Sequence, residues 1–168
     1  MVAYATQKGI MSDRPTNPKY DRLISPRTRY VLVTGGRGSG KSDAVALGAC
    51  GEMTMFEDWV ILYTRWTLTS AEISIIPEFQ KKIDLLGKRD KVKVSGNIVH
   101  SKETGSRIIF SGIKAASGTQ TARLKSIEGL NKLIVEEAEE FRYETEFNTL
   151  DDSIRVPGVP NIVIIVMN

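Results

Sequence analysis

The chain has 168 residues, 41% of them hydrophobic and 26% charged, a composition that suits one globular domain with a full core and excludes a disordered or fibrous chain. A formal charge of +3 permits a nucleic-acid partner without requiring one. The lone Cys50 excludes an intrachain disulfide, and the longest apolar run, Ile162 to Met167, is far too short to cross a bilayer; no apolar stretch near Met1 fits a signal peptide.

Residues 1 to about 28 read as an irregular arm, because Pro15, Pro18 and Pro26 interrupt any periodicity. Such an arm either lies across the ligand site that follows it or is disordered. Its cations, Lys8, Arg14, Lys19, Arg22, Arg27 and Arg29, outnumber Asp13 and Asp21 and suit a solvated tail. The β-type run Tyr30 to Thr34 then leads into Gly35-Gly36-Arg37-Gly38-Ser39-Gly40-Lys41-Ser42. This fills the whole G-x-x-x-x-G-K-[ST] template, with a strand before it and a helical pattern after it. Each position has a reason. Glycines let backbone N–H groups close around an anion, and the helix start presents unpaired N–H groups to phosphate. Lys41 can reach the β- and γ-phosphates of such a ligand, and the Ser42 hydroxyl can ligate Mg²⁺.

The helix is expected from Lys41 to about Met53, with Cys50 as a small buried hydrophobe. Trp59 to Thr64 is nearly all apolar and reads as a strand buried on both faces. Ser70 is the expected cap of a helix from Ala71 to Leu86, with Pro77 kinking or restarting it and Gly87 ending it. From Lys91 to Ile113 the period changes to two. Three short strands are expected at Lys91–Val94, Asn97–His100 and Arg107–Phe110, with turns at Ser95-Gly96-Asn97 and Glu103-Thr104-Gly105. His100 has no Cys or His cluster near it and reads as structural. Residues 114 to 128 read as a loop or short helix.

Leu133-Ile134-Val135 is the next buried strand, and it ends on two adjacent carboxylates. Glu136 is the candidate Mg²⁺ ligand and Glu137 the group that orients and polarises the attacking water, since neighbouring residues at a strand end point in different directions. Glu139 and Glu140 read as a solvated face. Asn131-Lys132-Leu133-Ile134 begins like a guanine-recognition element but has Ile134 where an aspartate is needed, which argues against a GTPase. A helix from Tyr143 to about Arg155 and a final strand, Ile162 to Met167, complete the pattern. Strands alternating with helices predict an α/β fold, a P-loop NTPase with a mainly parallel central sheet flanked by helices and a β-hairpin insertion. Its ligand is expected at the carboxyl ends of the strands.

Three stretches together resemble the large terminase subunit of tailed bacteriophages, a DNA-packaging motor. They are residues 35–42, Leu124-Lys125-Ser126-Ile127-Glu128-Gly129-Leu130, and Ile134-Val135-Glu136-Glu137-Ala138-Glu139. The resemblance covers roughly residues 30 to 168. It implies that family's N-terminal ATPase domain, of the additional-strand, RecA-like type, preceded by the arm at 1–29, with the family's C-terminal nuclease domain absent. It also implies an ATPase that uses ATP and Mg²⁺ to move duplex DNA into a procapsid. Its partners would be double-stranded DNA, the portal protein, the small terminase subunit and copies of itself in a ring, the isolated domain being monomeric. No membrane is involved, and the location would be the cytoplasm of the infected bacterium. Arg37 matches an arginine common in the family's phosphate loop. Arg123, with Lys125 as second choice, is the candidate finger supplied by a neighbouring subunit, and either is equally read as a surface or DNA-facing charge. Asn168 matches the polar end of the family's coupling motif. The rival readings are another P-loop DNA motor of helicase-like type, or a nucleotide-binding module without turnover.

Overall fold

Strand β1 (Tyr30–Thr34) feeds helix α1 (Lys41–Met55), which is followed by β2 (Val60–Arg65) and α2 (Ile76–Leu85). Next come β3 (Val92–Ser95), β4 (Ile98–Ser101), β5 (Arg107–Gly112), β6 (Leu130–Val135), α3 (Glu144–Asp151) and β7 (Ile162–Met167). These are the elements of a computed structural model that describes residues 18–24, 28–66, 75–113 and 127–168. The expected Ser70 cap, the helix start at Ala71 and most of the 114–128 loop, Arg123 and Lys125 included, lie outside the described residues.

All seven strands join one sheet in the order β1-β7-β6-β2-β5-β4-β3. The five from β1 to β5 in that order are parallel, and β4 and β3 add an antiparallel extension through β5. The expected hairpin is therefore β3–β4, while the third short strand enters the main sheet beside β2. Strand β7 lies between the phosphate-loop strand β1 and the acidic strand β6, the arrangement that the additional-strand fold requires.

Alternation along the strands sorts the core into two layers. Ile61 and Tyr63 of β2 join Ile134, Ile164 and Val166 under α1 and α2, with Phe79 and Phe110. Val60 and Leu62 face the other way, with Leu133, Val135, Val163, Leu150 and Ile154. Tyr63, Phe79 and Phe110 meet with centroids 4.8 to 5.8 Å apart, two of the three pairs edge to face. Helix α1 is buried nearly all round, and its Ala44, Ala46, Gly48, Ala49 and Gly51 permit that close packing. Cys50 lies inside it, and burial pushes its thiol far up, with the charge of Glu78 adding to the shift.

Strand β6 starts at Leu130, three residues before the apolar run, because its two polar residues both find buried partners. The β2–β6 register slips between Val60 and Ile61, and Asn131 Oδ1 accepts the Val60 N–H there at 2.9 Å. Lys132 Nζ reaches both carboxylate oxygens of Glu52 on α1, at 2.8 and 2.7 Å, with both side chains essentially fully buried. The Asn-Lys pair that mimics the start of a guanine motif is thus part of the core.

Pro77 starts α2 rather than kinking it, since it occupies the first turn, where no amide partner is lost. Gly87, at φ 63, ends the helix as expected, and its amide returns to Asp84 at 3.0 Å. Helix α3 is shorter than expected. Arg29 sits at its end, with its guanidinium contacting the carbonyls of Asp151, the last helical residue, and of Ile154 beyond it, both at 3.3 Å. Within the segment read as an irregular arm, Pro18–Leu23 form a 3-10 turn against α1, burying Tyr20, Leu23 and the following Ile24. Gly105 sits at φ 71 where an added Cβ would come within 2.9 Å of Asp58 Oδ1. Gly105→Ala is expected to lower the urea midpoint by an amount worth about 1–2 kcal/mol, the cost of a left-handed residue with a side chain, without changing the slope.

Candidate functional site

The glycine-rich turn after β1 closes on itself before α1 begins. The Ser39 amide donates to Gly36 O at 3.3 Å, and Gly40 holds φ 81 at the helix cap, a conformation few residues other than glycine adopt. Four parallel strands deliver their carboxyl ends to one polar cleft of about 210 Å³. From the loop after β1 come Arg37, Gly38, Lys41 and Ser42, from the end of β6 Glu136 and Glu137, and from β7 Val166, Met167 and Asn168. Strand β2 contributes Arg65, which no motif singled out. Of the residues expected to act here, Arg37, Lys41, Ser42, Glu136, Glu137 and Asn168 are brought together. Gly35 and Gly36 enter through their carbonyls, and Ser39 and Gly40 shape the turn.

Lys41 is 6% exposed and uses its three ammonium hydrogens on Gly35 O at 2.6 Å, Gly36 O at 3.3 Å and Asn168 Oδ1 at 2.6 Å. The Asn168 amide donates onward to Glu139 Oε1 at 2.8 Å. Glu139 is exposed, as expected of a solvated face, yet it belongs to this chain of contacts. Burial acts to raise its carboxyl, but hydrogen bonds from its own amide and from Asn168, with the charge of Lys41, hold it below the usual range.

Arg65 spans the acid pair. Its Nη2 lies 2.7 Å from Glu137 Oε1 and its Nε 3.4 Å from Glu136 Oε2. Glu136 is buried under this guanidinium, whereas Glu137 is about a third exposed. Glu137 also takes left-handed backbone, φ 55 and ψ 45, which turns its side chain away from the direction the strand would dictate. Burial raises the Glu137 carboxyl above the ordinary value; Arg65 opposes the shift, and Glu140, Glu136 and Glu139 add to it. Glu78, in the first turn of α2, is raised by burial and then by Glu136, so a third carboxylate feels the same site. Lys82 of α2 pairs with Asp43, beside Ser42, which ties α2 to the start of α1.

No group of three or more His, Cys, Asp or Glu suited to a metal occurs among the described residues. Ser42 and Glu136 do line one cleft, and that donor set fits Mg²⁺, which takes one or two protein oxygens and fills its octahedron with water and phosphate. Arg65 could have been found by noting that β2, an apolar strand of a parallel sheet, ends on a charged residue at the sheet's ligand edge.

Fold and cleft define a P-loop nucleotide-binding domain of the additional-strand, RecA-like type. A model of the phage terminase large subunit family matches residues 27–168, and the chain belongs to that family. No curated protein matches it. Among solved structures, it is similar to the large terminase ATPase domain of Thermus phage P74-26, at 16% identity and a TM-score of 0.69, covering 95% of this chain and 67% of that one. The large terminase of a thermophilic bacteriophage is 14% identical with a TM-score of 0.67, over 96% of this chain and 37% of that one; it has also been solved with ADP. The HK97 large terminase is 13% identical with a TM-score of 0.67, over 92% of this chain and 33% of that one. The chain thus spans about a third of the length of these two large terminase chains, and at these identities the likeness is one of fold.

Proposed function

We propose that this domain binds ATP with Mg²⁺ and hydrolyses it as the motor part of a viral terminase that drives duplex DNA into a procapsid. The observation that carries the reading is the meeting of a complete phosphate loop and the acid pair of β6 in one cleft. Family membership and the ADP-bound relative support it. Residues 30–168 form the ATPase unit, with residues 18–24 packed on it. Gly35 to Ser42 bind the phosphates, Ser42 and Glu136 hold the metal, and Glu137 takes the proton of the attacking water. Arg37 stabilises charge at the γ-phosphate in cis, and Arg123 or Lys125 is supplied by a neighbouring subunit. Asn168 connects Lys41 to the β6 loop through Glu139, a route by which the state of the phosphate site reaches the rest of the motor. The metal, when bound, neutralises the phosphate oxygens and the charge that develops on them. The partners are double-stranded DNA, the portal, the small terminase subunit and further copies in a ring, in the cytoplasm of the infected host.

Turnover by purified protein, alone and then with duplex DNA and portal, tests the reading. ATP bound without any turnover under both conditions would reduce the domain to a binding module. The electrostatics of Glu137 add a pH signature. A base works only when ionised, so kcat/KM, which follows the free enzyme, should fall as pH drops through the Glu137 pKa. Because that pKa is raised, the acid limb should lie above the ordinary glutamate value of about 4.3. Arg65→Ala removes a lowering charge and should move the limb higher still. An acid limb in the ordinary carboxylate range, unmoved in Arg65→Ala, would take the base role from Glu137.

A further inference from the structure

We infer that Tyr20 is a positioning residue for the phosphate loop, holding it in its anion-binding shape from outside. The inference rests on the nucleotide reading above and adds a residue far from the loop in sequence. The Tyr20 hydroxyl donates to the Ser39 carbonyl at 2.8 Å, across 19 residues. A trans peptide is planar, so its C=O and N–H point in opposite directions. Fixing the Ser39 carbonyl outwards on Tyr20 therefore aims the Gly40 N–H of the same peptide inwards, into the cradle. That amide has no backbone acceptor among the described residues. It is one of the donors that a helix start offers to phosphate.

The loop has few other restraints on this peptide. Gly38 and Gly40 stand at φ 76 and 81, and an added Cβ at either would meet nothing within 4 Å. Their side of the loop is therefore not confined by packing, and two glycines in sequence proximity permit many other backbone states. Tyr20, by contrast, is held by packing. It is 7% exposed, Leu23 and Ile24 beside it are 4% and 2% exposed, and Ile24 rests on α1 where Gly48 leaves room. Leu23 O also accepts Lys132 Nζ at 3.2 Å, which ties the 3-10 turn to the buried ion pair. The segment before β1 thus works as a brace between the core and the Ser39–Gly40 peptide.

The test is Tyr20→Phe, which keeps the ring and its packing and deletes only the hydroxyl. Dissociation constants for ADP and for inorganic pyrophosphate, measured beside the unfolding midpoint, separate the possible roles. Both ligands engage the loop, so both should bind about three- to tenfold more weakly, the scale of one hydrogen bond. Leu23→Ala, which loosens the same turn without touching the loop, should shift both constants in the same direction. A lower midpoint with both constants unchanged would make Tyr20 merely structural and overturn the inference. Weaker ADP binding with pyrophosphate unchanged would overturn it too, by pointing to a contact with the nucleoside. If the parent protein binds neither ligand while folded, the nucleotide reading fails first and this inference falls with it. Parent binding that Tyr20→Phe does not alter sinks the brace alone.

Discussion

Glu137→Gln is expected to bind ATP as the parent does and to turn it over at least about 10²-fold more slowly, the usual scale for losing a positioned base. The amide preserves the size of the side chain and its contact with Arg65, 2.7 Å away in the parent, so the cleft should keep its shape. What is lost is the ability to accept a proton from water. Lys41→Ala is the informative contrast. It removes the ammonium that bridges Gly35, Gly36 and Asn168, and with it the charge proposed to meet the phosphates, so ATP affinity itself should collapse in a folded protein. Equilibrium nucleotide titration and single-turnover hydrolysis separate the two variants. Wild-type hydrolysis by Glu137→Gln would remove the base role, and unchanged affinity in folded Lys41→Ala would remove the phosphate site. Glu136→Gln, by contrast, should raise the Mg²⁺ concentration needed for activity, because Glu136 is the carboxylate assigned to the metal.

The second large effect is on folding. Lys132→Ala is expected to destabilise the domain by about 3–5 kcal/mol, because it removes the ammonium that balances the Glu52 carboxylate in the dry interior. It also takes away the hydrogen bond to Leu23 O, so the turn that carries Tyr20 should loosen in the same variant. A domain of ordinary stability holds only about 5–15 kcal/mol in reserve, so unfolding near physiological temperature is a realistic outcome. The pair is nevertheless not required for its own sake. Lys132→Met combined with Glu52→Leu replaces both charges with apolar groups and should recover most of the loss, since the cost of desolvating two ions disappears with them. Urea denaturation of Lys132→Met, Glu52→Leu and the double variant measures the coupling. A loss under about 1 kcal/mol in Lys132→Ala would show that water reaches the site.

What the sequence by itself determined is what short-range chemistry controls. The phosphate loop was legible because its glycines, lysine and serine act through backbone conformation over eight consecutive residues, Gly35 to Ser42. Strands β2 and β7 were legible because a parallel strand buried on both faces must be apolar throughout, and the acids after Val135 stood out because they end such a run. The tertiary structure decided everything that depends on which elements become neighbours. Sheet order puts β2 beside β6, and only that adjacency turns Arg65 into the cation that spans Glu136 and Glu137. The start of β6 was hidden because Asn131 and Lys132 look like loop residues until Val60 and Glu52 arrive from elsewhere in the chain to satisfy them. Tyr20 looked like part of a solvated arm for the same reason. A polar group announces its partner only when the fold has brought that partner within hydrogen-bond distance, whereas a glycine or an apolar run states its requirement locally.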